Sequence, residues 1–242
     1  MKRLASYSQY FLRSPALIKE LVGHSSIKKT DTVYDIGAGS GAITAVLAKR
    51  ARRVVAVEHE PRMAEKLVAN MARYDNVEVI HDDFLKVALP TEKYKVFANI
   101  PFHISAAIVR KLVFTKMPPS ASYLIVQKQF GQKLCIDETP FTGQLGAQIA
   151  PWVSVRIRRP LRRTDYFPHP NVDTVLIEIK ARPSALLPIE DHDRYSEWVA
   201  RCFDSALYFK TLPLGKIGAT ITTRPSQLSL AQWLLLYQFV KS

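Results

Sequence analysis

A chain of 242 residues, 48% hydrophobic and 23% charged, has the material for a sizeable core and excludes a disordered or low-complexity polymer. Its 34 Lys and Arg against 21 Asp and Glu give a formal charge of +13, which points to a polyanionic partner, either nucleic acid or an anionic surface. Cys135 and Cys202 lie far apart without metal-ligand spacing, so a disulfide scaffold and a zinc site are both excluded and a reducing cytoplasm is expected.

Apolar runs rich in Val, Ile and Tyr predict strands at 32–36, 54–58, 77–81, 94–98, 123–127, 153–159 and 174–180. Helical patterns fall between them at 15–23, 41–50, 61–72, 104–114 and 130–136. This alternation is the signature of an α/β protein with a parallel sheet. From about residue 190 onward the pattern is helical only, broken by Pro213 and Pro225. The expected division is a domain over 1–187 and a small helical domain over 188–242. From Glu190 onward the net charge is only +1, leaving +12 on the α/β part, so that part is expected to attract the anionic partner. The start, Met1-Lys2-Arg3 followed by polar residues, is no leader peptide, and the apolar stretch 228–240 is too short to span a bilayer; a soluble protein is expected.

The sharpest local signal is Asp35-Ile36-Gly37-Ala38-Gly39-Ser40-Gly41, leaving a strand and opening a helix. Glycines there let backbone approach a ligand closely. Glu58 follows 21 residues after Gly37 at the tip of the second strand, where an acid accepts hydrogen bonds from both ribose hydroxyls. Ala42 also completes the looser dinucleotide pattern, so glycines alone do not exclude NAD. The acids decide for S-adenosylmethionine (SAM). Asp35, Glu58 and the Asp82-Asp83-Phe84 tip of the third strand suit a cationic cofactor and would repel a pyrophosphate, with Asp35 expected to position the ammonium end.

The fourth strand ends in Asn99-Ile100-Pro101-Phe102. An exocyclic ring amine is a poor nucleophile because its lone pair is delocalised. An acceptor on Asn99 and a main-chain carbonyl beside Pro101 can bind its two hydrogens and turn the lone pair toward a sulfonium methyl, while Phe102 stacks on the base. No general base is required, so His103 and His169 are expected to be structural or RNA-facing. A base within a duplex has to be flipped out to reach such a site.

Taken with Ser8-Gln9-Tyr10-Phe11-Leu12 at the start and Tyr166-Phe167-Pro168-His169-Pro170-Asn171-Val172-Asp173-Thr174 near the end, these motifs stand in the order of the Erm/KsgA rRNA adenine-N6 methyltransferases, which the sequence resembles over about residues 6–182. The resemblance implies a Rossmann-like SAM-dependent methyltransferase sheet, seven-stranded and mostly parallel, with a small C-terminal helical domain. It implies SAM as methyl donor and an rRNA adenine as acceptor. Carried over, Leu12, Gly37, Gly39, Glu58, Asp83, Phe84 and Asn99 contact SAM, with Gln9, Tyr10, Asp35 and His59 completing that set. Asn99, Pro101 and Phe102 hold the adenine, and Tyr166 approaches it, with Phe167 as the alternative.

Ser8-Gln9, Asn-Ile-Pro-Phe and the short tail resemble Erm more than KsgA, implying a 23S rRNA target, antibiotic resistance, a cytoplasmic location and a monomer. A KsgA-like enzyme acting on 16S rRNA and a non-catalytic RNA-binding factor are the alternatives. Tyr10 stands where the family has Asn, and Phe102 where many relatives have Tyr.

Arg156, Arg158, Arg159, Arg162 and Arg163 crowd the approach to Tyr166 and are expected to meet phosphates, with Arg156 and Arg158 on one strand face. Lys2, Arg3 and Arg13 extend that track, whereas Arg110 and Lys111 are expected as an ordinary solvated helix face.

Overall fold

The computed structural model describes residues 11–12, 14–138 and 141–241. The chain opens with β1 (Phe11–Leu12) and α1 (Pro15–Gly23), whose start is set by Ser14 Oγ accepting from Leu17 N–H and by Pro15 in the first turn. Strands and helices then alternate: β2 (Thr32–Ile36), α2 (Ala42–Ala48), β3 (Arg53–Glu58), α3 (Pro61–Met71), β4 (Val77–His81), β5 (Lys95–Asn99), α4 (Ser105–Val113) and β6 (Ser122–Gln127). Apolar runs such as Val54-Val55-Ala56-Val57 are buried on both faces, as strands of a sheet covered by helices on both sides must be.

Strands β4, β3, β2, β5 and β6 pair in that order, all parallel. The order reverses at β2: the next strand in sequence lies on one side of it and β5 on the other. Loops leaving the ends of β2 and β5 therefore diverge and leave a crevice, which is where open α/β sheets hold ligands. The glycine loop and the Asn99–Phe102 turn are those two loops. The core beneath them joins Val33, Leu47 and Val54 to Phe97, Tyr123 and Ile125.

After β6 come α5 (Lys128–Leu134), α6 (Gln144–Ile149), β7 (Val153–Leu161), β8 (Tyr166–Phe167) and β9 (Thr174–Ala181). β9 and β7 complete a seven-stranded sheet, β7 at its edge. Strand β7 runs on through Pro160, past the expected end at 159, because an edge strand tolerates a residue with no N–H to donate. β1 and β8 form a separate antiparallel ribbon, pairing Phe11 with Phe167 and Leu12 with Tyr166. The sequence gives no sign of this ribbon or of α6, whose elements are too short for a period to show.

Two compact units emerge: one runs to Lys128 and resumes over Arg158–Glu178, the other comprises Gln129–Ile157 and the chain from Ile179 onward. In the second unit, α7 (His192–Asp204), α8 (Ala206–Thr211) and α9 (Leu230–Lys241) surround an aromatic core. Trp198 meets Trp233 edge-on at 5.5 Å between centroids, and Tyr195 meets Tyr237 at 5.0 Å, geometries that favour aromatic pairs. Lys241 Nζ donates to both oxygens of Asp191 at 2.8 and 2.6 Å, tying the end of α9 to the start of α7. Burial pushes the Cys135 and Cys202 thiols up to about 12, so both stay protonated and unreactive. Among the described residues no helix is long and apolar enough to cross a membrane.

Candidate active site

At the end of β2 the chain turns through Gly37 and Gly39 with φ of 68° and 58°, conformations that side-chain-bearing residues rarely adopt. A Cβ on Gly37 would stand 3.2 Å from Pro101 Cδ, and one on Gly39 only 2.9 Å from Phe11 Cε1. The loop is therefore pressed between the Asn99–Phe102 turn and Phe11, with its backbone turned to the crevice. Glu58, 4% exposed at the tip of β3, accepts from Gly39 N–H at 2.7 Å through Oε2 and from Glu60 N–H at 2.9 Å through Oε1. Each oxygen keeps a second lone pair for a ligand hydroxyl.

The crevice has two halves that share Gly37, Glu58 and Pro101. One, of about 90 Å³, is lined by Phe11, Leu12, Gly39, Asn99, Ile100 and Phe102; the other, of about 250 Å³, by His59, Asp82, Asp83, Phe84, Leu85 and His103. Together they bring to one place Leu12, Gly37, Gly39, Glu58, His59, Asp83, Phe84, Asn99, Pro101 and Phe102 of the expected cofactor and adenine sets; Asp35, Tyr166 and Phe167 do not line it.

The first departure is Asp35. It does not line the crevice but lies sealed beneath the loop, 1% exposed, its Oδ2 accepting from Thr44 Oγ1 at 2.7 Å. It cannot position the ammonium end of a ligand; it anchors the loop to α2. Burial first, opposed by the Thr44 hydrogen bond and reinforced by the Glu58 charge, raises its pKa from 3.8 to about 7. A carboxyl whose pKa is raised on folding stabilises the fold below its unfolded pKa, and that contribution is lost as pH climbs through the folded value. Wild-type stability should therefore decline from 3.8 to about 7 by more than that of Asp35→Asn, as read by denaturant unfolding across that interval. Parallel curves for the two proteins would overturn this.

Asn99 closes β5, Ile100 is buried, and Phe102 opens a short 3-10 turn. Pro101 carbonyl already accepts from Ile104 N–H at 3.3 Å and Ser105 Oγ at 3.2 Å. The main-chain acceptor left beside Pro101 is therefore that of Ile100, which lines the same half of the crevice as Asn99.

The expectation for Tyr166 is corrected. Its side chain is 0% exposed within the core, its hydroxyl 2.6 Å from Thr174 Oγ1, and burial raises its pKa. Alternation along β8 sends one aromatic inward and the next outward, and Phe167 is the outward one at 61% exposure. Opposite it on the ribbon stands Phe11, which lines the crevice. Nothing in the sequence alone marks Phe11 or Ile100 as lining the site; only the register of β1 with β8 and the packing against Gly39 reveal Phe11. Gln9, Tyr10, Lys2, Arg3 and Arg13 lie outside the described residues.

The five arginines divide. Arg158 pairs with Glu178 at 3.8 Å, Arg159 with Glu20 at 2.8 Å and Arg163 with Asp173 at 3.7 Å. Among the described residues Arg156 and Arg162 are exposed without an ion pair. His169 Nδ1 rests 2.9 Å from Arg163 carbonyl, a structural contact.

The residues present fit an adenosyl cofactor: a glycine loop at positive φ with little room for a Cβ, a nearly buried acid at the tip of β3, and an Asp-Phe turn at the tip of β4. The chain matches the ribosomal RNA adenine dimethylase family over residues 2–207. It is 32% identical over 195 residues to an rRNA adenine N-6-methyltransferase of Lysinibacillus sphaericus, spanning 80% of this chain and 78% of that protein. It is 30% identical over 198 residues to ribosomal RNA small subunit methyltransferase A of Streptococcus agalactiae serotype Ia, spanning 78% of this chain and 68% of that one. Its fold is similar to that of 23S rRNA methyltransferase ErmE, with a TM-score of 0.82 at 24% identity over 96% of this chain and 100% of that one. It is also similar to a dimethyladenosine transferase from Plasmodium falciparum, with a TM-score of 0.77 at 21% identity over 96% and 98%. A family match over most of the chain, on a sheet with the crevice such chemistry needs, makes this protein a member of the ribosomal RNA adenine dimethylase family, enzymes that methylate adenine N6 in rRNA with SAM as donor.

Proposed function

We propose that this enzyme methylates one adenine of 23S rRNA in the peptidyl transferase loop, the modification that confers resistance to macrolides, lincosamides and streptogramin B. The observation that carries the reading is the Asn99-Ile100-Pro101-Phe102 turn at the reversal point of the sheet, the form of this motif that resembles Erm. The 32% identity to an rRNA adenine N-6-methyltransferase supports it. Similar identity to a small subunit methyltransferase favours one second reading, a 16S rRNA target.

When bound, SAM supplies an electrophilic methyl on a sulfonium. Leu12 and the Gly37 and Gly39 backbone would hold its methionine part, Glu58 its ribose hydroxyls, and Asp83 and Phe84 its adenine, with His59 at the rim. On the acceptor side, Asn99 Oδ1 and Ile100 carbonyl accept the two amine hydrogens and orient the lone pair. Phe102 offers a stacking face, and Phe167 a second one across the mouth, beside Phe11. Both acceptors are neutral, so the proton lost on methylation leaves to water rather than to a resident base.

The RNA strand would run along the exposed arginines. Arg156 and Arg162 supply the readiest phosphate contacts, while Arg158, Arg159 and Arg163 must exchange an internal carboxylate for a phosphate. The enzyme acts as a cytoplasmic monomer in this reading.

The test is transfer of labelled methyl from SAM to purified, protein-free 23S rRNA and, in parallel, to 30S subunits, with nuclease digestion to identify the base. N6-methyladenine on 23S rRNA alone is the expected result, and the same digest gives the mono-to-dimethyl ratio. Label on 30S subunits instead would move the enzyme to a 16S target.

A further inference from the structure

Lys111 lies on α4, the helix that grows out of the Asn99–Phe102 turn, where an ordinary solvated lysine is expected. Its ammonium turns inward instead. Nζ donates to Leu85 carbonyl at 2.8 Å and to Val87 carbonyl at 2.6 Å, and it stands 5.2 Å from the centroid of the Phe84 ring. Two carbonyl oxygens and a ring face form a neutral cradle for a cation. Burial lowers the Lys111 pKa, while the Asp83 carboxylate favours the charged form.

The segment so gripped is one wall of the larger half of the crevice, to which Asp83, Phe84 and Leu85 belong. Its own bonds are local: Asp83 Oδ1 accepts from Leu85 N–H at 2.9 Å, and Asp83 carbonyl from Lys86 and Val87 N–H at 2.8 and 3.2 Å. These shape the turn, and Asp82 N–H donating to Glu58 carbonyl at 3.1 Å ties its start to β3. Lys111 fastens the far side of the turn, at Leu85 and Val87, to the helix whose first residues follow the Asn99–Phe102 turn. Phe84 is only 4% exposed, with the Lys111 ammonium 5.2 Å from its ring centroid.

We propose that Lys111 is a positioning residue for the cofactor: its ammonium sets the Asp83–Phe84 turn that receives the adenine of SAM, and so tunes cofactor affinity without touching the cofactor or the reacting atoms. The inference rests on the assignment of Asp83 and Phe84 to the adenosyl end. Lys111→Met keeps the apolar stem and removes the donors and the charge. The carbonyls then turn to water and the ring loses its cation, so the wall loosens at the adenosyl end only.

The test is calorimetric binding of S-adenosylhomocysteine, and of adenosine by competition, to wild type, Lys111→Met, Lys111→Arg and Glu58→Ala. Lys111→Met is expected to weaken both ligands by the same factor, about tenfold. The KM for SAM should rise equally while kcat on rRNA and the KM for rRNA stay within about twofold. Lys111→Arg, which keeps a cation and donors, should recover most of the affinity. S-adenosylhomocysteine binding within about twofold of wild type in Lys111→Met would overturn the proposal. So would a loss for S-adenosylhomocysteine without one for adenosine, or a fall in kcat with cofactor affinity intact.

Should Lys111→Met fail to fold, Lys111→Gln, with a neutral donor on a shorter stem, takes its place. The same matched weakening supports the proposal, and unchanged binding overturns it. Glu58→Ala separates the two assignments: undiminished binding there defeats the cofactor site itself, whereas loss there with none in Lys111→Met defeats only the role of Lys111.

Discussion

Asn99→Ala is expected to lower kcat for methyl transfer by about 10²–10³-fold while leaving RNA binding within about threefold of wild type. The reason lies in what the amide does. In the free base the amine lone pair is delocalised into the ring, and it becomes available only as the nitrogen pyramidalises. Acceptors placed to bind both hydrogens in that geometry are stronger in the transition state than in the ground state, which is the condition for raising kcat rather than affinity. Ile100 carbonyl remains in Asn99→Ala, so one of the two acceptors survives and the loss stays finite. Asn99 also lines the part of the crevice that holds Leu12 and Gly39, so the KM for SAM should rise to a lesser degree. Single-turnover rates at saturating SAM separate the two effects, and filter binding reports RNA affinity. Wild-type turnover in Asn99→Ala would remove the turn from the chemistry.

The second large effect separates two adjacent aromatics. Phe167→Ala is expected to lower kcat/KM for rRNA about tenfold to a hundredfold, the range of one lost base–aromatic stack, with the folded state unaffected because that ring is 61% exposed. Tyr166→Ala should do the reverse. A fully buried ring whose hydroxyl lies 2.6 Å from Thr174 Oγ1 leaves a cavity and an unpaired hydroxyl when removed, costing about 3–5 kcal/mol of stability. Tyr166→Phe keeps the ring and gives up only the hydrogen bond, about 1 kcal/mol, with activity retained. Thermal unfolding and rRNA kinetics on the three variants check the assignment. Activity lost in Tyr166→Phe but kept in Phe167→Ala would return the base contact to Tyr166.

Sequence alone went far because much of this site is short-range. The glycine loop, Glu58, the Asp83-Phe84 tip and the Asn99–Phe102 turn each sit at the end of a strand long and apolar enough to declare its period, so the sequence places each at a strand tip. All of those strands lie in one parallel sheet, and their tips therefore meet at one edge. Of the acids that pointed to a cationic cofactor, Glu58, Asp82 and Asp83 line the crevice, and Asp35 does not. The charge of +13 indicated a polyanionic partner, and the family match names it as rRNA.

What the sequence alone could not decide involves direction and partners rather than residue type. Whether Asp35 faces the ligand or the core depends on the Thr44 hydroxyl one helix away, since a carboxylate beside a glycine loop satisfies both readings. Tyr166 and Phe167 are both large and aromatic, and a two-residue strand has no period from which an inward face can be read. Pairing with Phe11 and Leu12, more than 150 residues earlier, settles it. Three arginines of one run found carboxylates on other elements, and Lys111 found the Leu85 and Val87 carbonyls.

The sequence by itself determined the sheet, the cofactor class and the motifs at the strand tips, because those follow from local periodicity and from residue types at strand ends. Only the tertiary structure decided which side chains line the crevice and which lie beneath it. A polar or aromatic group is committed by the nearest partner in space, and that partner comes from a distant part of the chain.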